Sequence, residues 1–209
     1  MDNYKLSRDR AQAYFLSFDQ ETIIRTWNLQ HDDRKLYVTF LGREYAICRA
    51  TGMVTRVWSA EQAGFEEVLS IFDLLCHEGT GKCMSGRFAP VNSLKGRGAV
   101  VSVGTAFHGK AAAKFDRDPE GFQKACRELG GTEISLGDAG FSFPLFGELT
   151  VQLKFYRADE DFPASVTLLW DENLLRYVYY ETVFYMAGFL LGSVLQQMEK
   201  TVAICAAMG

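Results

Sequence analysis

From Thr182 to Met198 the chain carries no charged side chain, and Val183–Leu195 is apolar almost all round. A helix of that composition has two places to go, the middle of a protein core or the middle of a bilayer. The run is close to spanning length and contains Gly188-x-x-x-Gly192, a spacing that lets helices approach closely in membranes. Against insertion stand Gln196 and Gln197 at one end, Glu181 at the other, and few flanking Lys or Arg to set an orientation. The expectation is a buried helix in a water-soluble protein, its glycines admitting a neighbouring strand or helix. Glu181 opens it, where a carboxylate gains from the N-terminal dipole.

Such a helix needs other elements to cover it. Leu149, Val151, Leu153 and Phe155 alternate with Thr150, Gln152 and Lys154, and Val166, Leu168 and Trp170 repeat the pattern. Two such runs around the charged stretch Arg157–Pro163 predict an antiparallel hairpin. Asp171 is placed to cap a short helical turn after it. Upstream, Lys35–Leu41, Glu44–Arg49 and Met53–Trp58 read as a meander of three short strands broken at glycines.

The 3.6-residue period marks the helices. Ser7 is expected to cap a first helix with face Ala11, Tyr14, Phe15 and Phe18, and Asp19 a second with Ile23, Ile24 and Trp27 inward. Ser59-Ala60-Glu61-Gln62 has the form of a capping box, predicting a helix that buries Phe65, Val68, Leu69, Phe72 and Cys76. Ala106–Phe115 is expected to be helical. Asp118-Pro119 opens a further helix with face Phe122, Ala125, Cys126 and Leu129, stopped by Gly130-Gly131. Glu78–Gly98 reads as a glycine-rich loop and Val100–Val103 as a short apolar run. Without strand–helix alternation the class is α+β: an antiparallel sheet, N-terminal meander plus C-terminal hairpin, packed with helices that include a buried C-terminal one.

At 209 residues the chain suits a single domain, 1–209, with a helical segment over 1–33 and the main core over 34–199. A net charge of −4 argues against a nucleic-acid or anionic-membrane surface. Met1 leads directly into polar sequence, and the five cysteines are scattered. Both features fit a cytoplasmic protein with reduced thiols.

Asp159-Glu160-Asp161-Phe162-Pro163-Ala164-Ser165, a strand ending at Asp171, and Glu181 opening a helix together resemble the DUF3786 family, an uncharacterised domain of anaerobic bacteria and archaea. That family has a second Glu where this chain has Asp161. Weaker matches run through Phe40-Leu41-Gly42-Arg43-Glu44-Tyr45, Ser85-Gly86-Arg87-Phe88, Ala106-Phe107 and Gly130-Gly131, so the resemblance covers roughly Leu36–Leu195. In some members the domain follows a four-cysteine module like that of corrinoid iron–sulfur proteins, and these 209 residues contain none. The resemblance implies a fold and a neighbourhood in anaerobic one-carbon or corrinoid metabolism, without a reaction.

The chemistry-bearing residues each have a bland reading. Cys76, His77, Cys83 and His108 could ligate a metal, but the cysteines lie outside usual zinc spacing and Cys76 falls on an apolar helix face, so no metal is expected. A Cys83–His108 nucleophilic pair has no motif around it. Gly79-Thr80-Gly81-Lys82 lacks the earlier glycine, the following Ser/Thr and the preceding strand of a phosphate loop. Asp159, Glu160 and Asp161 could hold a hard cation, but a solvated turn is the expected role, with Phe162-Pro163 turning the corner and plugging the core. Glu78–Arg117 has a charge balance of +5 and Pro144–Glu199 one of −5. Within the basic stretch, Lys82, Arg87, Lys95, Arg97 and His108 sit among glycines, the chemistry of a small-anion site.

Two functions follow as expectations. One is an accessory domain that binds a small anionic molecule or a protein partner, with no cofactor, no nucleic acid and no membrane. The alternative is an enzyme using Asp159, Asp161, Asp171 or His108 as acid–base groups, which requires them to converge on one pocket.

Overall fold

The computed structural model describes residues 3–94 and 105–208, with side chains over 4–94 and 108–200. Helices α1 (Asn3–Leu16) and α2 (Gln20–Trp27) lead into a four-stranded antiparallel sheet. Its strands β1 (Gln30–His31), β2 (Lys35–Phe40), β3 (Arg43–Cys48) and β4 (Val54–Arg56) lie side by side in chain order. Helix α3 (Phe65–Cys76), edge strand β5 (Phe88–Pro90) and helices α4 (Thr105–Arg117) and α5 (Pro119–Glu128) follow. Strands β6 (Thr132–Ile134), β7 (Ala139–Phe146), β8 (Leu149–Tyr156) and β9 (Ser165–Asp171) complete a second antiparallel sheet in the order β5-β9-β8-β7-β6. The last helix is α6 (Tyr180–Met208). The architecture is α+β.

The local chemistry explains most boundaries. Asp19 caps α2 by accepting from Glu21 N at 3.2 Å. Asp118 caps α5 by accepting from Gly121 N at 2.9 Å, with Pro119 at the first helical position. The meander pairs β2 with β3 from Lys35↔Cys48 to Phe40↔Arg43, and the hairpin pairs β8 with β9 from Val151↔Trp170 to Tyr156↔Ser165. Meander and hairpin lie in separate sheets. Strand β7, unpredicted because Pro144 and Gly140 interrupt its period, takes the other edge of β8. The two sheets touch where Leu41 N donates to Leu145 O at 2.9 Å.

Several expectations change. Ser7 lies inside α1 rather than capping it, and Tyr14 on that helix is exposed. Ser59–Gln62 starts no helix: Arg56 N donates to Glu61 O and Ala63 N to Val54 O, so the chain folds back on β4 as a tight return. The helix begins instead at Phe65, where the Glu67 carboxylate accepts from Gly64 N at 2.6 Å. The Glu78–Gly98 stretch contains β5, and Val100–Val103 lies outside the described residues. Phe162 is 71% exposed and plugs nothing.

Helix α6 resolves the opening question. Val183, Met186, Leu190, Leu191, Val194 and Met198 are buried, a stripe at helical spacing that packs on α3, α4 and α5. No helix among the described residues is long and apolar enough to cross a membrane. Asp73 of α3 caps α6, its Oδ2 accepting from Tyr179 N at 2.8 Å and Thr182 Oγ1 at 2.5 Å, while Glu181 is exposed in the first turn. Of the two glycines, only Gly188 is approached: a Cβ there would stand 2.9 Å from Glu66 Oε1, whereas Gly192 faces open space.

Candidate ligand groove

The turn Leu41-Gly42 joins β2 to β3 with positive φ at both residues, 47° and 71°. A two-residue turn of that geometry matches the twist of the strands it joins. Leucine is an unusual occupant, and its conformation is held by burial and by the bond to Leu145. The turn fixes Arg43 as the first residue of β3. Alongside, β4 ends at Arg56, and the tight return after it lifts Trp58, which remains 49% exposed.

Across from these strands runs one face of α6, with Phe189, Ser193, Gln196 and Lys200 at intervals of three and four. Strands and helix enclose a groove of about 690 Å³. That volume lies within the range of small-molecule sites. Phe40 stacks on Phe189 at 5.8 Å between ring centres, which anchors the helix side of the groove to the sheet.

Two arginines line it in different states. Arg56 is tied down: its Nε donates to Glu67 Oε1 at 2.8 Å, its Nη2 to Glu67 Oε2 at 2.5 Å, and it also pairs with Glu61 at 3.4 Å. Glu67 is 2% exposed and also accepts from Tyr45 Oη at 2.8 Å. Burial pushes the Glu67 carboxyl up, but the bonds from Arg56, Tyr45 and Gly64 more than reverse this and hold it below the usual glutamate range. Burial, with Glu67 beside it, raises the Tyr45 hydroxyl well above an ordinary phenol. Tyr45 in turn meets Trp58 edge to face at 5.2 Å. This charged floor is closed on itself.

Arg43 is different. Its guanidinium lies 5.3 Å from the Trp58 ring centre and 5.9 Å from that of Phe189. It makes no hydrogen bond or ion pair among the described residues. Two aromatic faces therefore orient a planar cation whose N–H donors are unspent.

A family model described as a domain of unknown function, DUF3786, matches residues 19–193. The chain belongs to the DUF3786 family. The match contains Arg43, Arg56, Trp58, Phe189 and Ser193 of the groove, and the segment Phe40–Tyr45 that carries part of the resemblance forms its strand side. No curated protein and no solved structure matches the chain.

In this DUF3786 domain most of the residues singled out from sequence fall in three places. The first is a bracket at the end of β9. Asp171, 1% exposed, accepts from Ser85 N, Ser85 Oγ, Gly86 N and Asn173 N at 2.8–3.1 Å. It does cap the turn after β9, and it also pins the segment Ser85–Phe88. Gly79 belongs to the same bracket, since a Cβ there would stand 1.8 Å from Arg176 O. Lys82 donates to His77 O at 2.7 Å beneath the rings of Trp27 and Tyr177, and burial lowers its pKa while Asp73 and Cys76 oppose the shift. Arg87 pairs with Glu172 at 2.8 Å. Both cations of the loop that are described have partners within the protein.

The second place is the β8–β9 tip. Asp159 Oδ1 accepts from Asp161 N at 2.9 Å and Phe162 N at 2.7 Å, a turn closed by its own side chain, and Glu160 and Pro163 are exposed beside it. The third is α4, where His108 is half-buried and burial lowers its pKa. Lys95 and Arg97 lie outside the described residues. Asp171 ends β9, whereas Asp159 lies in the turn before that strand begins at Ser165, so the seven-residue strand, about 20 Å, runs between them. Cys76 is buried on α3, His77 follows that helix, and Cys83 is exposed beside Asn173. The groove residues Arg43, Trp58 and Phe189 were absent from the sequence-derived site. Arginine and tryptophan at strand ends give no spacing signal, and only the resemblance at Phe40–Tyr45 pointed there.

Proposed function

We propose that this domain is a small-molecule-binding accessory module whose groove takes an anionic ligand. The observation that carries the reading is Arg43, a guanidinium held between Trp58 and Phe189 that makes no ion pair among the described residues, although Glu44 and Glu61 also line the groove. An anion entering the groove meets an oriented fork of donors without first breaking an ion pair. Lys200, exposed on the α6 side, adds a second positive charge, and Ser193 and Gln196 add neutral hydrogen-bonding groups. The setting in anaerobic one-carbon or corrinoid metabolism, the cytoplasmic location and action as one domain rest on the family resemblance and on composition.

The test is thermal unfolding of the intact protein in graded phosphate, pyrophosphate and citrate. It compares wild type, Arg43→Met, and the loop variant Arg87→Ala plus Arg97→Ala. Specific binding at about 100 times Kd stabilises by about 2.7 kcal/mol, a rise of about 5–10 °C for a domain of this size. The rise should saturate in wild type, persist in the loop variant and vanish in Arg43→Met. Loss in the loop variant with retention in Arg43→Met would move the site to the basic loop. Equal shifts in all three proteins would be a salt effect, and the proposal would fail.

A further inference from the structure

Resting on that anion-binding reading, we infer that the groove is built for a planar ring that carries its anionic group, a fused aromatic carboxylate or a nucleotide-like phosphate. The argument starts from Trp58. Of the three tryptophans, Trp170 is 1% exposed and Trp27 is half-buried, while Trp58 is 49% exposed and lines the groove. Its orientation is nonetheless fixed, by Tyr45 edge to face at 5.2 Å and by Arg43 at 5.3 Å. The buttress reaches deeper, because Tyr45 is itself fastened to Glu67. The groove thus presents a rigid aromatic surface backed by a buried, hydrogen-bonded floor.

A ring laid against Trp58 gains stacking that does not depend on its substituents. The same placement brings an anionic group on that ring to Arg43, whose guanidinium is planar and packs favourably beside π faces. An aliphatic anion of equal charge gains only the second contact. The volume of about 690 Å³ exceeds what phosphate or acetate alone would fill. Ring and charge together define the ligand class.

The experiment uses matched pairs of probes on the intact chain, titrated by calorimetry and by tryptophan fluorescence. AMP is set against ribose 5-phosphate, and 2-naphthoate against decahydro-2-naphthoate, each pair equal in charge and differing in the ring. The planar member should bind about tenfold or more tightly and quench the exposed indole. Trp58→Leu should erase the preference, and Trp58→Phe, which keeps a ring beside Arg43, should restore part of it. Thermal melts of each variant establish that it is folded before titration. If both members of each pair bind equally and Arg43→Met abolishes both, the ring inference is overturned and the anion site stands. If no probe binds to the folded wild-type protein, both are overturned.

Discussion

Replacing Glu67 with glutamine exchanges a carboxylate oxygen for an NH2 group at a position where either orientation of the amide is wrong. Oε1 accepts from Tyr45 Oη and Arg56 Nε, both at 2.8 Å, and Oε2 accepts from Arg56 Nη2 at 2.5 Å and Gly64 N at 2.6 Å. With its NH2 at Oε2 the amide faces two N–H donors, Arg56 and Gly64; with its NH2 at Oε1 it can donate to the Tyr45 oxygen, but the phenol proton and Arg56 Nε lose their acceptor. Arg56 can turn toward water, because 26% of its side chain is exposed, but Tyr45 is fully buried and Gly64 is fixed by the helix start. An orphaned buried donor costs about 1–3 kcal/mol, and a bond to a charged acceptor contributes about 1.5–3 kcal/mol. Discounting the solvent-accessible Arg56 share, the expected loss is about 2–4 kcal/mol. Urea denaturation at pH 7 measures it. The same experiment run against pH carries a sign. The native pKa of Glu67 is lowered, so its contribution is complete above the unfolded value of about 4.3. It drains away as pH falls through the native value. The gap between wild type and Glu67→Gln should therefore stay constant from neutral pH to about pH 5 and close only in stronger acid. A variant within about 0.5 kcal/mol of wild type at pH 7, the range of an ordinary surface change, would refute the account of the groove floor.

Asp171→Asn should cost about 2–3 kcal/mol in the same assay, because a buried carboxylate accepting four donors becomes an amide with one acceptor oxygen; protection of the Ser85 and Gly86 amides from hydrogen exchange should fall with it. Gly79→Ala forces the loop off Arg176 O and should lower stability by about 2 kcal/mol or more, with an unchanged melt refuting the close approach. Alkylation with iodoacetamide near neutral pH, mapped by peptide mass, should modify Cys48 and Cys83 and spare Cys76 and Cys126. The Thr51 hydroxyl, helped by loop N–H groups, lowers the Cys48 thiol against a smaller opposing effect of burial, whereas burial pushes Cys76 up to about 12 and raises Cys126 also.

What the sequence made legible follows the strength of local chemistry. The strands β8 and β9 alternate cleanly because one face of each is buried, and α5 carries an aspartate cap, a proline and a double-glycine stop within its own length. Strand β7 has neither advantage. Gly140 and Pro144 break its pattern, and the strand is held by β8 at seven of its eight positions and by β6 on its other side at Gly140, Phe141 and Ser142. Its identity as a strand is a tertiary fact. The Ser59–Gln62 error has the same origin. Four residues fit a capping box, yet the backbone there pairs with β4 and the capping carboxylate is supplied at Glu67. A motif of four residues fits two structures, and the partner strand chooses between them.

The groove gave no signal along the chain for a further reason. Glycine and lysine clustered in Glu78–Gly98 drew the anion-site expectation to the loop, because clustering is visible along a chain. In the fold Lys82 and Arg87 are spent on His77 O and Glu172, and Asp171 holds the loop as a bracket. A cation already satisfied by its own protein gains little from a ligand, since the new bond replaces an old one. Arg43 is the reverse case. It is a single arginine beside a turn, with no charged neighbour in sequence other than Glu44, and what distinguishes it is the absence of a partner among the described residues combined with two rings brought from 15 and 146 residues away. The residues that carry the family resemblance divide accordingly. Ser85-Gly86-Arg87-Phe88 and Asp171 explain each other as a structural clamp, and Asp159 explains its own turn. Phe40–Tyr45 is not exhausted by such an account, because the turn it builds ends in a guanidinium that two rings orient and that makes no ion pair among the described residues.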